Sequence, residues 1–74
     1  MPLGRYRMNN PTIALFEQDG HHVADTVPAG AIIEISRVAL DGDKLLEVVW
    51  NGRPVLMFTQ DLRKRAEPAK GNAK

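Results

Sequence analysis

Only a few side chains in this chain have the residue types that metal or acid–base chemistry requires. His21 and His22 are adjacent, and Asp19 and Asp25 lie close to them in sequence. Neighbouring residues of an extended chain point to opposite sides, so the two imidazoles do not converge on one ion without a turn between them. We therefore expect solvent-exposed histidines, with a weak role as a pH-sensitive contact left open, and no metal site.

Covalent catalysis and phosphate binding also lack the residues that they need. Ser36 is the single serine, cysteine is absent, and no spacing relates Ser36 to either histidine. A nucleophile needs an adjacent base, so we expect no catalytic residue. Asp41-Gly42-Asp43 has turn composition without the remaining spacing of a calcium loop, and the glycines are scattered singly rather than grouped in a phosphate loop. We expect a protein without cofactor that is not an enzyme.

Binding residues are easier to nominate. Trp50 precedes Asn51-Gly52 and lies near Arg53, whose planar cation can stack on an aromatic ring. The alternative is that Trp50 caps the core, because small cores need large side chains. Leu56 and Phe58 are further candidates, as an apolar contact with a partner or a second copy of the chain.

The charged residues are unevenly distributed along the chain. Between Asn9 and Leu62 there are three cations and eight carboxylates, whereas residues 63–74 hold five cations and one glutamate. Phosphate neutralisation by lysine and arginine drives nucleic-acid binding, so only the basic ends suit that ligand. The residues for this alternative are Arg5, Arg7, Arg63, Lys64 and Arg65. The other interpretation is that they form solvated ends.

Length and composition limit the fold to one small domain. The chain has 74 residues, of which 43% are hydrophobic, so its core is thin. No disulfide supplements that core, and the sequence has neither a signal-peptide core nor an apolar run of membrane-spanning length. We expect a cytoplasmic protein that has no membrane contact.

The elements that position these residues are short strands. Residues 12–17 and 21–26 form a hairpin around Asp19-Gly20, and Val27-Pro28-Ala29-Gly30 fits a type I turn into a strand over 31–40. Val38 and Leu40 have the opposite parity to Ile33 and Ile35, which predicts a bulge near Ser36-Arg37. Asp41-Gly42-Asp43 then turns the chain into the next strand.

Asn51-Gly52 is the strongest hairpin signal, and a two-residue loop determines the register of its arms. Trp50 then faces Arg53, Val48 faces Val55 and Leu46 faces Met57 on one side; Val49 with Pro54, Glu47 with Leu56 and Leu45 with Phe58 occupy the other. Both faces are mostly apolar. Either both faces of such a hairpin are covered by other elements, or the hairpin curls so that one face lines a barrel and the other contacts a tail or a partner. We favour the curled arrangement.

The rest of the chain completes a five-stranded barrel in this interpretation. Residues 59–62 read as one helical turn and 63–65 as a last short strand. Residues 1–11 are expected to be an N-terminal arm outside the barrel of residues 12–65, and 66–74 a disordered basic tail. The fold class is therefore all-β.

The order of turns resembles the SH3-like barrel. Ala14-Leu15-Phe16, a long polar hairpin, Val27-Pro28-Ala29-Gly30, Asn51-Gly52-Arg53 and the turn at Gln60-Asp61-Leu62 carry this resemblance over residues 12–65. The aromatic peptide groove of SH3 signalling domains is missing, because Glu17, Gln18 and Asp19 stand where the family has tyrosines. The resemblance also extends in size and fold to plasmid-type dihydrofolate reductases, but their pore motif has no match here.

These observations lead to three functional hypotheses. The first is a non-enzymatic module that binds a protein or a second copy of itself. The second is a nucleic-acid-binding barrel that uses the basic ends. The third is a symmetric-pore enzyme of the plasmid dihydrofolate reductase type, which would require a tetramer.

Overall fold

The computed structural model describes residues 3–37 and 42–69 as one antiparallel sheet with a short helix. The strands run in the spatial order β3-β2-β6-β5-β4-β1-β7, and the sheet is not closed. Their bounds are β1 Gly4–Met8, β2 Thr12–Gln18, β3 His21–Val27, β4 Ile32–Ile35, β5 Leu45–Trp50, β6 Arg53–Phe58 and β7 Ala66–Pro68, with α1 over Thr59–Arg65. The all-β class is confirmed, whereas five strands is wrong: the sheet has seven, because Gly4–Met8 and Ala66–Pro68 add β1 and β7, and residues 63–65 belong to α1 rather than to a last strand.

The β5–β6 hairpin has the register that the turn predicts. Asn51 and Gly52 both have positive φ, at 55° and 76°, as a two-residue turn between twisted strands requires. All six predicted cross-strand pairs occur, from Trp50 with Arg53 to Leu45 with Phe58. The β2–β3 hairpin is built in the same way around Asp19 and Gly20.

The turn before β4 differs from the expected type I turn by one position. Ala31 donates its backbone N–H to the Pro28 carbonyl at 3.2 Å, so the turn comprises residues 28–31. Gly30 then occupies the third position with φ of 89°, which is the geometry of a type II turn. Glycine reaches this conformation without the strain of a Cβ atom, which explains the shift.

Residues Gly4–Met8 are part of the sheet, although they lie in the segment 1–11 that was expected to be an arm outside it. β1 pairs with β4 on one side and with β7 on the other. Tyr6 and Met8 are buried while Arg5 and Arg7 are exposed, which is the period of two that a half-buried strand shows. The sequence itself shows this alternation, because Arg5 and Arg7 alternate with Tyr6 and Met8.

The C-terminal segment also departs from the prediction. Residues 63–65, expected to be a strand, continue α1, which buries Thr59 and Leu62. Ala66–Pro68, expected to belong to the disordered tail, pairs with β1. The predicted strand residues 38–40, Asp41 and residues 70–74 lie outside the described residues.

The core lies on the inner face of the sheet. Inward-facing residues of β1 to β6 form one buried cluster with Leu62 of α1. Its members are Tyr6, Met8, Ala14, Val27, Ile33, Ile35, Leu46, Val48, Trp50, Val55, Met57 and Leu62. Because strands from both halves of the sheet contribute to a single cluster, the sheet curls around it, which is compatible with a small barrel-like fold.

Candidate interaction surface

Trp50, the first binding candidate from the sequence, lies in the core. Only 9% of its surface is exposed, and it belongs to the buried cluster. This placement matches the alternative role of Trp50 as a core residue. Trp50 therefore offers little area to a partner.

Arg53 stacks on a ring, but the ring is that of Phe16 rather than Trp50. Its guanidinium carbon lies 4.5 Å from the Phe16 ring centroid. Arg53 is opposite Trp50 in the hairpin, so both belong to the inner face. The exposed Arg53 covers a partly buried ring at one end of the core, and this contact explains its position without a ligand.

Leu45, Leu56 and Phe58 lie together on the outer face, as the hairpin register predicts. Strand β2 enlarges this surface, because Leu15 pairs with Leu56 across the β2–β6 boundary. Ile13 is two residues away on the same face of β2, and it lines a groove with Phe58. We call these five residues, Ile13, Leu15, Leu45, Leu56 and Phe58, the outer-face patch.

Ile13 and Leu15 were missed as surface residues by sequence reasoning. The signal is present in β2, where Thr12 and Ala14 are buried and the intervening apolar residues must face the other way. The sequence does not show which strand lies beside β2, and this neighbour decides whether Ile13 and Leu15 join the apolar residues of the hairpin. The structure places β6 there.

The outer-face patch is well exposed for a group of large apolar side chains. Ile13 is 50% exposed and Phe58 42% exposed. Leu15, Leu45 and Leu56 are partly buried by their neighbours in the sheet. Within the described residues no helix or strand covers this face, so its apolar area is available for contact.

Two shallow grooves flank Phe58. One, of about 710 Å³, is lined by Lys44, Gln60, Asp61 and Arg63, and the other, of about 450 Å³, by Ile13, Asp61 and Arg65. Phe58 belongs to both, and therefore forms the ridge between them. An exposed aromatic side chain between two concave strips, with charged residues around them, has the anatomy of a protein contact surface.

A third, smaller groove marks the opposite end of the patch. It has a volume of about 190 Å³ and is lined by Leu15, Glu17, His22, Glu47 and Leu56, among others. Both glutamates are exposed. The patch therefore has three cations and two aspartates near Phe58 at one end, and glutamates without a lysine or arginine in the groove near Leu56 and Leu15 at the other.

The structure brings the two basic ends of the chain together, but it also gives their arginines acidic neighbours. β1 and β7 pair, so Arg7 lies opposite Glu67 and forms an exposed salt bridge of 3.1 Å. Arg5 lies opposite Glu34 of β4. Arg65 donates through Nη1 to the Pro11 carbonyl at 3.1 Å. Lys64, like Arg63 and Arg65, is exposed on α1.

The residues considered for metal binding do not converge. His21 and His22 are exposed neighbours on β3, and Asp25 accepts a hydrogen bond from the Thr26 backbone N–H at 2.8 Å. Over residues 3–37 and 42–69, no group of three or more histidine, aspartate and glutamate side chains is placed to hold a metal ion. Ser36 is an exposed residue just after β4. In the same ranges, no helix has the length and apolar content of a membrane span.

Comparison with known proteins finds no match: no family model, curated protein or solved structure is significantly similar to this chain. Its function must therefore be inferred from the chemistry of its own surface. The outer-face patch is the most distinctive feature of that surface.

Proposed function

We propose that this chain is a non-enzymatic binding module and that the outer-face patch is its contact surface for another protein chain. The observation that carries the proposal is the cross-strand alignment of Leu15 with Leu56 and of Leu45 with Phe58, which joins apolar side chains of three strands on the face opposite the core. We also propose that the curled sheet is an SH3-like barrel to which β1 and β7 have been added.

The composition of the patch favours a protein partner. Burial of Ile13 and Phe58, which are 50% and 42% exposed, removes apolar area from water. Large apolar or aromatic residues at the centre of a polar rim are typical of contact residues. The rim of Lys44, Asp61, Arg63 and Arg65 adds groups that pair with a partner's side chains.

Nucleic-acid binding is the second candidate, and the convergence of the basic ends at the β1–β7 pair is the observation that favours it. The salt bridge between Arg7 and Glu67 weighs against it, because Glu67 competes with phosphate for the arginine. A single-stranded oligonucleotide titrated at several salt concentrations separates the two candidates. Phosphate binding weakens steeply with salt, whereas an apolar contact responds little.

Site-specific photo-crosslinking tests the protein-binding proposal. A photoreactive phenylalanine analogue replaces Phe58 in one variant and Ala29, an exposed residue of the turn before β4, in a matched control. We expect light-dependent protein adducts at position 58, in cells or with the pure chain, and none at position 29. Equal labelling at the two positions, or none at either, would overturn the proposal.

A further inference from the structure

We infer that the partner of the outer-face patch is a second copy of this chain, packed face to face across a twofold axis. This inference depends on the proposed function and specifies its partner. It is carried by the charges at the two ends of the patch, which complement each other.

The apolar centre of the patch lies between a basic end and an acidic end. The basic end comprises Lys44, Arg63 and Arg65, with Asp61 between them. The acidic end comprises Glu17 and Glu47. Glu47 is opposite Leu56, and Leu56 is opposite Leu15. Glu17 follows Leu15 by two residues on the same face of β2, so both carboxylates border the apolar row.

Two other charged residues near the patch, Asp43 and Arg53, do not neutralise the charges of the basic and acidic ends. Asp43 lines the groove of the basic end, but its Oδ2 lies 3.6 Å from Arg37 Nη1, which compensates its charge. Arg53 is the sequence neighbour of Pro54, which lines the groove of the acidic end. Its side chain, however, belongs to the inner face and lies over Phe16. The outer face therefore retains a net positive and a net negative end.

A twofold axis in the plane of the interface and perpendicular to the strands reverses the strand direction of the second copy. The basic end of each copy then lies over the acidic end of the other, and every contact occurs twice. Phe58 of one copy faces the Leu15–Leu56 row of the second. Aligned sheets pack in this way at about 10 Å, with interdigitated side chains.

A partner with one charge sign would complement only one end of the patch. An acidic partner meets repulsion at Glu17 and Glu47, and a basic one meets repulsion at Arg63 and Arg65. A second copy satisfies both ends without any further assumption. A standard interface covers about 800 Å² per partner, or about one sixth of the 4866 Å² surface of this chain. Only Ile13 and Phe58 among the five patch residues are exposed and the other three are partly buried, so we expect a weak, reversible dimer.

A charge-swap experiment tests the inference. The first variant carries Glu17→Lys and Glu47→Lys, so both ends of its patch are basic, and the second carries Lys44→Glu and Arg63→Glu, so both are acidic. All four positions are exposed, and we expect both variants to fold, with circular dichroism and urea unfolding as the check. Sedimentation velocity over a concentration series then measures the dimer dissociation constant.

We expect the unmodified chain to dimerise reversibly. Each variant alone should dimerise at least about tenfold more weakly, because like charges face each other twice in its homodimer. An equimolar mixture should recover dimers, because the swapped ends are again opposite in sign. The matched control is Arg5→Glu with Arg7→Glu on β1, which changes the net charge as much as the second variant does but leaves the patch unaltered. It should dimerise like the unmodified chain.

Two results would overturn the inference. One is a strictly monomeric chain at the highest concentration, and the other is a dimer that the charge swaps do not alter. If the pure chain is monomeric while position 58 crosslinks to a different protein in cells, the inference fails and the proposed function stands. If position 58 crosslinks to nothing, both fail.

Discussion

Met8 provides the most informative test of the fold, because it lies in the segment that the sequence predicts to be an arm. Its side chain is fully buried, and its backbone N–H and C=O bond to Ala31 and Gly30 at 2.9 Å and 2.7 Å. Met8→Ala leaves these backbone bonds in place and removes only side-chain packing. Loss of a buried methionine side chain costs about 1.5–3 kcal/mol of transfer free energy, and the cavity left behind adds to this.

We therefore expect Met8→Ala to lower the free energy of unfolding by about 3 kcal/mol. For a domain of this size, urea slopes are about 1 kcal/mol per molar, so the unfolding midpoint falls by roughly 3 M. Urea titration followed by Trp50 fluorescence measures this shift, since the ring is buried in the same cluster. Arg5→Ala, at an exposed position of the same strand, is the control and should stay within about 0.5 kcal/mol. If the two variants have the same midpoint, β1 is not packed as described.

Two further predictions concern the ends of the β5–β6 hairpin. Gly52 has φ of 76°, and no atom lies within 4 Å of the point that an added Cβ would occupy. Gly52→Ala should therefore destabilise by about 1–2 kcal/mol through backbone strain alone, and an equal midpoint in thermal unfolding would contradict this. The buried Thr59 donates its hydroxyl to the Asp43 carbonyl at 2.7 Å. Thr59→Val should cost about 1–3 kcal/mol in urea unfolding, while Thr59→Ser retains the hydrogen bond and should lose less; a larger loss in the serine variant would refute the role of the hydroxyl.

Local turn chemistry explains why the β5–β6 hairpin could be predicted in detail. Asn51-Gly52 determines the loop length, and with the loop length set every opposite pair follows by counting. The same logic placed Leu45, Leu56 and Phe58 on one face. Features of the fold that depend on a few neighbouring residues, such as the turn and the register of this hairpin, could therefore be predicted from the sequence.

Contacts between segments that are distant in sequence could not be predicted in this way. β1 and β7 pair residues about sixty positions apart, such as Arg7 with Glu67, and no local pattern encodes that distance. The strand prediction for residues 63–65 failed because Arg63, Lys64 and Arg65 show no apolar–polar period, whereas basic residues are favourable in the last turn of a helix, where the structure places them. Ile13 and Leu15 joined the patch only through the β2–β6 pairing.

The two apolar faces of the β5–β6 hairpin now have different explanations. The inner one, with Leu46, Val48 and Trp50, packs into the core and supplies stability. No strand or second layer of the described residues lies over the outer one, and Phe58 stays 42% exposed there. Exposed apolar side chains favour non-specific association, so a surface that only had to be soluble would hold polar residues at these positions. In the proposed dimer the charged ends limit this hazard, because they favour the orientation that sets Lys44 and Arg63 against Glu17 and Glu47. An apolar row framed by opposite charges is therefore better explained as a specific contact than as an incidental exposure.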